Sequence, residues 1–108
     1  MSQVNEEKSA RVCVLEDAAR LTGEDRNTIY GDPSINFSCQ ARLIRIYATF
    51  AYDRQHSDPH VAAMQMVLAK IARIACGEFH RDNYVDAAAY LAIAYEVEHG
   101  YRELTSSE

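Results

Sequence analysis

A chain of 108 residues is long enough for one hydrophobic core, and 48% hydrophobic with 25% charged residues is the balance of an ordinary globular domain. The formal net charge of -5 excludes the broad basic footprint that contact with a nucleic-acid polymer needs. The opening MSQVNEEKS has no apolar core of a secretory signal, and no apolar run reaches about 18 charge-free residues, so a cytoplasmic domain without membrane spans is expected over residues 1–108.

Glycines and prolines divide the chain into segments of helical length, and none alternates strictly between apolar and polar residues. The first helix is predicted over residues 5–21, with Asn5 as cap, Glu6 and Glu7 at its positive end, and Gly23 just beyond it. Val12, Leu15 and Ala19 form one apolar stripe, with Glu16 on its edge. Asp32 followed by Pro33 is a cap and first helical position, opening a second helix over residues 33–52. Asp58 and Pro59 repeat that device for a third helix over residues 59–76, which Gly77 closes. A fourth is predicted over residues 81–99, ending at Gly100. Four helices with short connections make an all-α antiparallel four-helix bundle the expected fold.

The third and fourth helices are unusually apolar. In 61–76 (VAAMQMVLAKIARIAC) the only charges are Lys70 and Arg73, and from Val85 to Tyr95 the only polar residue is Asp86. Helices apolar on nearly every side are buried on both, which calls for a partner subunit and predicts a dimer or tetramer. Asp82 and Asp86 stand one turn apart and share a side, as do Lys70 and Arg73. Carboxylates in that arrangement suit Mg²⁺ or Mn²⁺, and an ammonium beside a guanidinium suits phosphate oxygens. The plainer alternative is that Asp82 complements the helix dipole, Asp86 pairs with Lys70 or Arg73, and the cations reach the surface along their stems.

Other chemistries find little support. His56, His60, His80 and His99 show no metal-ligand spacing, and His60 and His80 near helix starts read as structural or solvent-facing. Cys13, Cys39 and Cys76 are odd in number and far apart, and read as reduced core thiols. No glycine-rich phosphate loop, dinucleotide fingerprint or nucleophile elbow is present.

Three elements in order, Y-G-D-P-x-x-N-F (Tyr30 to Phe37), K-x-x-R (Lys70 to Arg73) and D-x-x-x-D-x-x-x-Y (Asp82 to Tyr90), resemble phage-encoded members of the MazG-like all-α nucleoside triphosphate pyrophosphohydrolases. The resemblance spans about residues 12–96. It implies a helical oligomer that hydrolyses a (deoxy)nucleoside triphosphate to the monophosphate and pyrophosphate with Mg²⁺ or Mn²⁺. One phage branch acts on dGTP to supply 2-aminoadenine DNA, and this chain is compatible with that branch. Asp82 and Asp86 would then hold metal, with Glu16 or Asp32 as further ligands; Lys70 and Arg73 would face the leaving pyrophosphate; Tyr30, Asp32, Asn36 and Tyr90 would contact the substrate. The chain departs from better-known members, which carry E-x-x-E and E-x-x-D on successive central helices. The competing expectation is a non-enzymatic helical interaction protein, such as a small phage regulator that binds a host factor.

Overall fold

The computed structural model describes residues 7–23 and 31–106, which form four helices and no strand. They are α1 (Ala10–Leu21), α2 (Pro33–Asp53), α3 (Asp58–Cys76) and α4 (Arg81–Ser106). The all-α class is as expected, and the boundaries differ in instructive ways. α1 starts at Ala10 because the Ser9 hydroxyl accepts the Val12 amide, while Asn5 lies outside the described residues. Asp32 caps α2 as expected, but Ser57, not Asp58, caps α3 by accepting the His60 amide. Asp58 and Pro59 therefore sit in the first turn, where a carboxylate and a missing N–H both suit the helix start.

α4 runs straight through Gly100 to Ser106. A glycine costs a helix roughly 1 kcal/mol without ending it, and the ion pair from Glu98 to Arg102 bridges the glycine at helical spacing.

The core lies where α3 packs between α2 and α4, on Ala51, Val61, Val67, Leu68, Ala72 and Ala94. Small residues at Ala72 and Ala94, both essentially inaccessible, let the α3 and α4 backbones come close. α1 buries none of its residues, so the packed unit has three helices rather than four. Phe50, Leu91, Ile93 and Tyr95 stay exposed, which leaves apolar faces on α2 and α4. Among the described residues no helix is long and apolar enough to cross a membrane.

Candidate functional site

Consider first the end of the bundle where α2 begins, α3 ends and α4 begins. Gly31 has φ of 86°, and a Cβ there would lie 2.5 Å from the Cys76 carbonyl oxygen. Only glycine fits that approach, so the G-D-P turn is seated directly on the last turn of α3. Asp32 is exposed and committed to capping, accepting the Ser34 amide and hydroxyl, each at 2.8 Å. Those two bonds hold its carboxyl below the usual carboxylate range. Deeper in, Asn36 is buried with its Oδ1 unpartnered. Cys76 meets Cys39; burial, then the neighbouring thiol, pushes the Cys76 pKa up. Cys13 is exposed on α1, which corrects the expectation that all three thiols are in the core.

Of the pairings in the plainer alternative, Lys70 with Asp86 is present. Lys70 Nζ lies 3.3 Å from Asp86 Oδ2, with the lysine side chain 14% exposed and the aspartate 48%. Asp86 is thus a half-open partner of a nearly covered lysine, not the buried carboxylate that its apolar surroundings in sequence suggest. Arg73 is half-buried one turn along from Lys70, and Tyr90 half-buried one turn along from Asp86. Asn83 is almost fully buried, with Nδ2 unpartnered.

The remaining expected ligands do not gather here. Asp82 is largely exposed and pairs with His80 at 3.5 Å. Glu16 is on the unpacked α1, 2.7 Å from Lys8. Among the described residues, Glu16, Asp82 and Asp86 form no common cluster within one protomer. Tyr30 lies outside the described residues.

The opposite end of the bundle holds a constellation that sequence spacing did not reveal. Gln55, with φ of 63°, turns the chain between α2 and α3, and the turn delivers His56 and Ser57 beside α4. Glu98, 7% exposed, accepts the Ser57 amide at 3.1 Å and its hydroxyl at 2.8 Å on Oε1. Its Oε2 lies 2.6 Å from Arg102 Nε. Burial pushes the Glu98 pKa up, but the Ser57 bonds, Arg102 and His60 outweigh it and leave the group below its ordinary value. His60 is placed between Tyr47, whose hydroxyl is 2.7 Å from Nε2, and the Ala94 carbonyl, 3.2 Å from Nδ1. A carbonyl only accepts, so the neutral ring carries its proton on Nδ1 and accepts from Tyr47. His56 stacks on His60 with ring centroids 4.5 Å apart, and its buried Nδ1 has no hydrogen-bond partner. Tyr47 and His56 also line an apolar groove of about 430 Å³ with Phe50 and Leu68.

A family model described as Domain of unknown function (DUF6378) matches residues 13–98. The chain belongs to that family. A relative, the Gene 55 protein of Mycobacterium phage D29, is 38% identical over 95 residues, which cover 88% of this chain and 58% of the phage protein. The chain thus spans little more than half the length of that relative. No solved structure matches. The DUF6378 span takes in both ends of the bundle, with Lys70, Asp86 and the G-D-P turn at one and the His56, His60 and Glu98 cluster at the other.

Proposed function

We propose that the end of the bundle built from the G-D-P turn, Lys70, Arg73 and Asp86 binds the triphosphate of a (deoxy)nucleoside and hydrolyses it to the monophosphate and pyrophosphate. The supporting observation is one of placement: Lys70 and Asp86, 3.3 Å apart, lie on the half of α3 that ends at Cys76, against which Gly31 is seated, and substrate would replace their ion pair, phosphate taking Lys70 and metal taking Asp86. Three motifs far apart in sequence thereby share one end of the molecule. Lys70 is only 14% exposed, so once Asp86 turns to a metal its charge would act on an anionic ligand through a low dielectric, which strengthens the attraction. Hydrolysis adds water across the anhydride between the α- and β-phosphorus atoms and releases one proton. Lys70 and Arg73 would offset the charge that collects on the departing pyrophosphate.

Such a reaction calls for a divalent cation, Mg²⁺ or Mn²⁺, and among the described residues the carboxylates of one chain do not gather a ligand set for it. Asp86 and Asp82 offer a beginning, and a second copy of the chain would supply the rest. The test is direct: the purified protein is incubated with each dNTP, dGTP included, and with Mg²⁺ or Mn²⁺, and pyrophosphate is measured. Release from at least one nucleotide is expected; silence with all of them rejects the proposal.

The second reading, a helical interaction protein, draws on the exposed Phe50 and Tyr95 and on the unpacked α1. It predicts no turnover and a stable complex with another polypeptide.

A further inference from the structure

We propose that His56, His60 and Glu98 form a binding site for a borderline divalent transition-metal ion, best matched by Zn²⁺. The site is separate from the Lys70–Asp86 end and independent of the reaction proposed there. One ligand atom from each of the three residues lies within 4.8 Å of the other two. Ligands around a tetrahedral Zn²⁺, at about 2.0–2.1 Å from the ion, stand about 3.3 Å apart, so the donors must draw in, and the His56 and His60 rings, stacked 15° from parallel, must turn for their in-plane lone pairs to converge on one ion. Two imidazoles and a carboxylate are a recurrent zinc donor set with one position left open, whereas Mg²⁺ takes oxygen ligands.

Two further observations point to a ligand. The first is His56 Nδ1, buried without a partner on a ring already stacked against His60. A buried nitrogen left unpaired is costly in free energy, and coordination would satisfy it. The second is that the surrounding contacts already hold the donors. Ser57 holds Glu98 through Oε1, which lies 3.9 Å from His60 Nδ1, and Oε2 pairs with Arg102, whose side chain is 57% exposed and free to turn to water. Tyr47 stands at His60 Nε2. When His60 ligates through Nδ1, the ring's single proton resides on Nε2 and is donated to the Tyr47 oxygen, giving the outer-shell support that metal-bound histidines use. The bond given up is the longer one, 3.2 Å to the Ala94 carbonyl, an oxygen within a helix. The groove beside His56 and Tyr47 leaves room for water or another ligand at the open position.

The experiment titrates chelator-treated protein of all 108 residues with Zn²⁺ alone and, separately, Co²⁺ alone. Calorimetry reads stoichiometry, and the visible Co²⁺ spectrum reads nitrogen and oxygen coordination. Wild type should bind one Zn²⁺ per chain and show the spectrum of low-coordinate Co²⁺. His56→Ala and His56→Asn, both in a turn outside the helices, should keep their far-UV circular dichroism and bind Zn²⁺ at least about tenfold more weakly. Asp86→Asn should bind it as wild type does. No Zn²⁺ binding by wild type, or equal affinity in wild type and both His56 variants, overturns the proposal. So does loss of binding in Asp86→Asn with retention in the His56 variants.

Discussion

Glu98 enters the interior as a charge and is kept there by three groups on two elements. Ser57 gives it an amide and a hydroxyl, and Arg102 gives it a counter-ion. Glu98→Gln keeps the shape but loses the charge-assisted character of those bonds, so a loss of roughly 1–3 kcal/mol is expected, read as a lower urea midpoint with unchanged slope. The pH dependence follows from the lowered Glu98 pKa. The folded state holds this proton less tightly than the unfolded state, whose glutamate titrates near about 4.3. Its stabilisation is therefore full above that value and is lost as pH falls through the lower folded one. Urea midpoints measured from pH 6 down to pH 3 should show a smaller acid-side loss in Glu98→Gln than in wild type, the remainder coming from other lowered carboxyls such as Asp32. At the other end of the bundle, Asp86→Asn should abolish metal-dependent turnover with helicity intact; unfolding instead would mark the Lys70–Asp86 pair as structural. Arg73→Ala should weaken binding of a triphosphate more than of a monophosphate, measured by calorimetry. Equal losses would remove it from the leaving group.

At the scale of elements, the turn before α2 is the most constrained connection. Gly31→Ala must place a methyl group against the Cys76 carbonyl and hold a left-handed backbone. A cost of about 1–3 kcal/mol is expected, seen as a lower melting temperature. The helices themselves were legible because their stop and start signals are chemical. Asp32 with Pro33 marked α2 correctly, and the proline at 59 marked α3 to within a residue. Where sequence misjudged a boundary, a competing local bond decided it: Ser57 and Ser9 each offer a hydroxyl one position before the expected acid or well inside the expected helix. The Lys70–Asp86 contact was legible because two helices poor in charge leave few partners for either residue. The Glu98 cluster was not. Glu98 follows Glu96 in a stretch that reads as a solvated helix end, and His56 and His60 are divided by a helix start, so their spacing carries no helical meaning.

For the whole molecule, the radius of gyration of 19.1 Å and extents of 65 × 35 × 23 Å describe an elongated chain. A compact chain of this length would have a radius near about 13 Å. α1 buries nothing, and large apolar side chains on α2 and α4 remain in water. A second copy covering those faces is the expected outcome, and light scattering at micromolar concentration should give a mass at least twice 12.2 kDa. A stable monomer would remove the partner on which the proposed metal ligand set depends. The two polar clusters, meanwhile, are joined by a single rod. His60 stands at the start of α3 and Lys70 near its end, so at 1.5 Å per residue they are about 15 Å apart. α3 is therefore a molecular ruler. A paramagnetic Co²⁺ ion at the histidines would sit close enough to shift the ³¹P resonances of a nucleotide at Lys70, turning the distance between the two proposed sites into a spectroscopic signal.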